Sequence, residues 1–146
     1  MRKDSKGIYS FLSEVIGIPS RKDNVSVPAC ILGGNKEIKT SFLRGYSDAD
    51  FCLMLKKRSN IYPVIQGTSK SKIIIHQCSK ILEEFGIKNS VREEREFYAK
   101  RNSTYIKHRL YIYGVSRVNS FIEQIGFSNP RKHEKYRKSK SGPEGI

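Results

Sequence analysis

Phe42-Leu43-Arg44-Gly45-Tyr46-Ser47-Asp48-Ala49-Asp50-Phe51 constrains the architecture of this chain more than any other run in it. Gly45 and Ala49 stand four apart, so they share one face of a helix, and their small size lets a second helix approach almost backbone to backbone. Asp50 falls at the helix end. There the unsatisfied carbonyls disfavour a carboxylate by about 0.3 to 1 kcal/mol, and a bound cation would offset that cost.

The flanks agree with a helix at this place. Asn35 is a suitable N-cap for a helix over 36–50, with Ile38, Phe42, Gly45 and Ala49 along one stripe. Downstream, 51–57 and 61–68 read as strands separated by Arg58-Ser59-Asn60. A helix over 69–85 follows, with Ile74, Ile75, Cys78, Ile81 and Leu82 at helical spacing and Gly86 closing it. A second hairpin is expected over 90–99 and 103–113, then a last helix over 116–125. The element order is αββαββα, an α+β fold.

The 146 residues suit one domain with its own core. Lysine and arginine number 28 against 14 acidic residues, a net charge of +14 that is the footprint of a polyanion binder, DNA or RNA alike. Cys30, Cys52 and Cys78 show neither disulfide-framework nor zinc-ligand spacing, and they read as reduced core thiols. His76, His108 and His133 are likewise without metal-ligand spacing. The first residues, Met1-Arg2-Lys3-Asp4, lead into no apolar run of signal-peptide or membrane-span length, so a cytoplasmic protein without a membrane partner is expected.

The run from Phe42 to Phe51 resembles the LAGLIDADG motif of homing endonucleases, with Leu43, Gly45, Asp48, Ala49 and Asp50 matching, in a context similar to archaeal and intein-borne members. The resemblance continues through Ile125-Gly126-Phe127 and Asn129-Pro130-Arg131-Lys132 and covers residues 36–136. It implies an αββαββα half-domain whose four-stranded antiparallel sheet forms a DNA-binding saddle. Three parts follow: an N-terminal extension with a short helix (1–35), the LAGLIDADG domain (36–128) and a basic tail (129–146).

The function implied is site-specific cleavage of double-stranded DNA by metal-dependent phosphodiester hydrolysis. One motif copy implies one half, active as a homodimer or paired with another LAGLIDADG half. Asp50 matches the essential acid, which would hold Mg2+ or another divalent ion. Gly45, Asp48 and Ala49 belong to the dimer-interface helix, with Asp48 more often structural. Ser69, at the start of the second helix, and Arg117, near the end of the last strand, match positions that hold polar or basic residues around the attacking water. Phe51 departs from the pattern, which has glycine there. This leaves a second reading open, a catalytically degenerate DNA-binding protein or an RNA-splicing maturase.

The strands supply the reading residues. Over 105–113, Tyr105, Lys107, Arg109, Tyr111 and Tyr113 alternate with Ile106, His108, Leu110 and Ile112. A turn centred on Arg101-Asn102 would set Glu96 opposite Lys107 and Glu94 opposite Arg109, pairs that serve equally as plain surface salt links. Lys56, Arg58, Gln66, Thr68 and Arg92 are further DNA-binding candidates. Arg131 and Lys132 open a stretch, 131–140, with six basic residues in ten, which reads as a flexible phosphate-binding arm or a disordered tail. Finally, 10–22 is similar to 120–132. That similarity reads either as the trailing edge of an earlier repeat or as coincidence among helix ends.

Overall fold

The computed structural model describes residues 6–18 and 21–140. Four strands, β1 (Phe51–Lys57), β2 (Ile61–Ser69), β3 (Ser90–Tyr98) and β4 (Ser103–Tyr113), form one antiparallel sheet in the order β1-β2-β4-β3. Two short helices, α1 (Lys6–Ser10) and α2 (Ala29–Leu32), come first. Helix α3 (Lys36–Asp50) leads into β1, α4 (Lys72–Glu84) joins the hairpins, and α5 (Val115–Gln124) follows β4. The expected αββαββα order thus runs from α3 to α5.

Each element has a local cause. Asn35 Oδ1 accepts from the Ile38 amide at 3.0 Å and starts α3. The helix stops because Phe51 is extended, with φ −97° and ψ 147°. Glycine is therefore not required by the backbone at this position, and the departure from the motif carries no strain. The Phe51 ring instead turns into the core, edge-on to Tyr46 at 5.6 Å, and lies flush on Gly67 of its partner strand. A Cβ at Gly67 would come within 2.3 Å of that ring.

Helices α3, α4 and α5 cover one face of the sheet. Phe51, Leu53, Ile65, Leu110 and Ile112 bury there against Leu43, Ile75, Cys78, Leu82 and Phe121. Val27 joins the same core, its amide donating to Gln77 Oε1 at 2.6 Å, and Ser71 Oγ donates to the Val25 carbonyl at 2.5 Å. Part of the expected N-terminal extension is therefore stitched into the domain. The opposite sheet face carries no helix from this layer.

Several expectations are corrected. Helix α4 begins at Lys72, capped by Ser71, which leaves Ser69 as the last residue of β2. Of the three cysteines only Cys78 is buried; Cys30 and Cys52 are exposed. The basic tail is a helix, α6 (Pro130–Lys140), with Tyr136 donating to Asn119 Oδ1 at 2.5 Å. Residues 141–146 lie outside the described residues. The β3–β4 register differs by two positions, Glu94 facing Lys107 and Glu96 facing Tyr105. The hairpin closes through a short helical turn, Ala99–Arg101, and Asn102 at φ 44°, a longer loop than one centred on Arg101-Asn102 requires.

The repeat of 120–132 in 10–22 has a structural counterpart. Gly17 and Gly126 both end their helices at positive φ, 80° and 73°. Up to that glycine the earlier copy has one residue more, and it runs as a π-helix, Phe11–Val15, with the Ile16 amide donating to the Phe11 carbonyl at 3.1 Å. Pro19 and Ser20 lie outside the described residues.

Candidate active site and nucleic-acid face

Helix α3 has two faces of opposite character. Leu43 and Ser47 are fully buried towards the core, while Ile38, Gly45, Ala49 and Asp50 are exposed. Nothing lies within 4 Å of a Cβ placed on Gly45. The small-residue stripe is thus bare in the single chain, and it ends at the acid.

The C-terminus of α3 is held by a clasp from the start of α6. Asp48 accepts from the Ser128 amide at 3.0 Å and from the Asn129 amide at 3.2 Å. Lys132 Nζ donates to the carbonyls of Ser47, Asp48 and Phe51 at 2.7, 2.8 and 2.5 Å. A cation on these orphan carbonyls satisfies the helix end and complements its dipole. Burial lowers the Lys132 pKa, opposed by the charges of Asp48, Cys52 and Asp50. Asp48 is used structurally, as its match to the motif allowed, whereas Lys132, expected in a phosphate-binding arm, is used differently. Asp48 faces the α6 turn, and Lys132 is engaged with backbone carbonyls, so neither is free for a partner helix or a phosphate; Arg131 beside it is exposed.

Asp50 is exposed at the end of this clasped helix and makes no ion pair among the described residues. Its charge, after burial and Cys78, helps raise the Tyr46 pKa far above a phenol's usual value, while a contact from Ser69 lowers it. Ser69, though a strand residue, is thus gathered at the Asp50 end, its Oγ accepting from the Ser71 amide at 3.0 Å. Burial, then Asp50, pushes the Cys78 thiol up to about 12.

Arg117 is not gathered there. β4 runs antiparallel to β2, away from Asp50, and the Gly114 amide donates to Pro63 at 3.2 Å, so α5 starts at the opposite end of the sheet. From Pro63 to Ser69 the strand spans about 20 Å. Arg117 instead lines a cleft of about 900 Å³ with Lys56, Arg58, Tyr62, Arg92 and Tyr113.

The open sheet face collects the other candidates. Lys56, Gln66, Thr68, Arg92, Lys107 and Arg109 all occupy its alternating positions, by the register of the strand pairs, and Gln66 Nε2 donates to Thr68 Oγ1 at 3.3 Å. Tyr111 shares the face but is only 6% exposed, stacked on Tyr113 and roofed by Lys56 and Arg92 at 5.8 and 5.7 Å, so it supports the reading surface from below. Sequence reasoning missed a second basic hollow at the Asp50 end, lined by Lys70, Tyr98, Arg101, Tyr105 and Lys107. The alternation of β4 carried part of that signal; the approach of Lys70 to Tyr105, 5.5 Å, is long-range.

No helix among the described residues is long and apolar enough to cross a membrane. Nor do three or more His, Cys, Asp or Glu side chains converge as a metal cage among them. The model of a family described as a LAGLIDADG-like domain matches residues 37–126. Among curated proteins the chain is similar to the tRNA-splicing ligase RtcB of Pyrococcus furiosus, 25% identical over 138 residues, covering 87% of this chain and 14% of that protein. It is similar to the probable translation initiation factor IF-2 of Methanocaldococcus jannaschii, 27% identical over 139 residues, covering 94% and 11%. The RtcB of Pyrococcus abyssi is 30% identical over 146 residues, covering 92% and 15%. The chain spans 11 to 15% of the length of these relatives.

Proposed function

The chain belongs to the LAGLIDADG-like domain family, and from that premise we propose that it is one half of a site-specific endonuclease for double-stranded DNA, active as a dimer. The observation that carries this reading is the placement of Asp50. It stands exposed at the end of a helix whose Gly45 and Ala49 face is bare, at the edge of an open, basic sheet face. Two such helices packed at their small residues bring two carboxylates together beneath one duplex, and twofold protein symmetry calls for a pseudo-palindromic target.

A divalent ion such as Mg2+ fits this acid. One carboxylate per chain, with room for water and phosphate oxygens around it, suits a hard cation that keeps most of its hydration. When bound, such an ion supplies charge stabilisation to the attacking and leaving oxygens. The chain's own part is to hold Asp50 in place. Lys132 and Asp48 lock the helix end from which it projects, and Ser69 adds a hydroxyl on the same side. Arg117 is too far away to act there within one chain.

The relatives support a portable module. The same segment matches a ligase and an initiation factor, names with no shared chemistry, and takes up at most 15% of either. That is the pattern of an insert, as an intein-borne nuclease would be.

Incubation of a randomised plasmid library with the protein and Mg2+ tests the reading. The wild-type chain is expected to cut at a preferred site, and Asp50→Asn to abolish cutting while retaining fold and DNA binding. Specific binding without cleavage by the wild type, under any divalent ion, would leave the binding-only alternative; loss of fold in Asp50→Asn would make the acid structural.

A further inference from the structure

The open face is not uniformly positive. Along the middle of β3–β4, Glu96 holds Lys107 and accepts from Tyr105 at 3.2 Å, while Glu94 holds Arg109 at 3.2 Å and accepts from Tyr111 at 3.0 Å. The ion pairs are diagonal, two residues off the strand register on the same face, so each carboxylate reaches a cation and a phenol at once. Glu94 and Glu96 are the acidic strand residues on this face, Glu93 pointing to the other. At the outer end of the sheet the situation reverses. Lys56, Arg58, Arg92 and Arg117 line one cleft, and none of them makes a carboxylate pair among the described residues.

A phosphate and a base edge meet these two regions differently. The outer cleft presents uncompensated cations to an anion and asks nothing of sequence. In the middle, a phosphate approaching Lys107 or Arg109 meets a fixed carboxylate beside it and is repelled. A base edge meets both a donor and an acceptor there: the cations suit guanine O6 and N7, the carboxylates a cytosine amino group. Repulsion of the wrong partner is a source of discrimination equal in kind to attraction of the right one.

We propose that the face is partitioned: the cleft of Lys56, Arg58, Arg92 and Arg117 grips the duplex backbone, and the middle strip reads bases because Glu94 and Glu96 exclude phosphates from it. This rests on the duplex-reading function above. It makes Glu94 and Glu96 specificity-determining residues, and gives Arg117 a backbone-holding role.

Binding to a randomised duplex pool, measured across a KCl series with the bound sequences recovered and counted, tests the partition. The Glu94→Gln/Glu96→Gln protein keeps the phenol hydrogen bonds and frees two cations. It is expected to bind the unselected pool about tenfold more tightly, with a steeper salt dependence and a flattened sequence preference. The Arg58→Gln/Arg117→Gln protein is expected to keep the preference of the wild type while binding every sequence more weakly, its salt slope reduced by about 0.9 for each phosphate no longer neutralised. Unchanged preference and pool affinity in the glutamine pair, with the fold intact by circular dichroism, would overturn the partition and leave the pairs as sheet braces. So would an altered preference in the arginine pair. A wild-type chain that binds no duplex at any salt overturns both this partition and the function it rests on.

Discussion

At Gly67 the sheet has no room for a methyl group. The Phe51 ring occupies the place a Cβ would take, at 2.3 Å, and both residues sit in the buried layer beneath α3. An aromatic residue at the position after the motif acid and a glycine on the facing strand are therefore one packing solution. Gly67→Ala is expected to lose about 1 to 3 kcal/mol, read from the urea midpoint, because overpacking forces the ring off its seat. Local pattern revealed β2 as a strand but not this dependence, since it joins residues paired across the sheet.

At the scale of elements, α6 acts as a clamp on α3. Lys132 closes three carbonyls and Asp48 takes two amides in return, so the two helix ends satisfy each other's unpaired groups. Lys132→Met is expected to lower stability by about 2 kcal/mol, measured by thermal unfolding. It should also reduce cleavage more than DNA binding, because the end that projects Asp50 is loosened. The layer between α3 and α4 has a pH signature of its own. The Cys78 thiol titrates near 9.0 when free and near 12 when buried, so unfolding releases a proton above the lower value. Stability is expected to hold up to about pH 9 and fall as the pH climbs towards 12, with a shallower fall in Cys78→Val, in denaturation curves taken along that range.

For the whole molecule the decisive question is what covers the bare face of α3. Gly45 accepts a Cβ freely in the single chain, so at dilutions where the wild type is also monomeric Gly45→Leu should leave the melting temperature unchanged or higher. If two motif helices meet at that glycine, the same change pushes them apart. Sedimentation is expected to show dimer for the wild type and monomer for the variant, with cleavage abolished. Equal sedimentation of the two proteins would remove this surface from the assembly.

The chain's linear order was enough for the helix Lys36–Asp50, its Asn35 cap, both hairpins and the apolar side of α4, because caps, turns and periodicity act within a few residues. It also carried the motif, and with it the acid. Strand direction placed Arg117 at the far end of the sheet from Asp50, loop geometry moved the β3–β4 register by two, and the carbonyls of α3 drew Lys132 out of a supposed tail. Those outcomes depend on groups distant in sequence satisfying one another's charge, volume and hydrogen bonds. Only the closed chain brings such groups within reach.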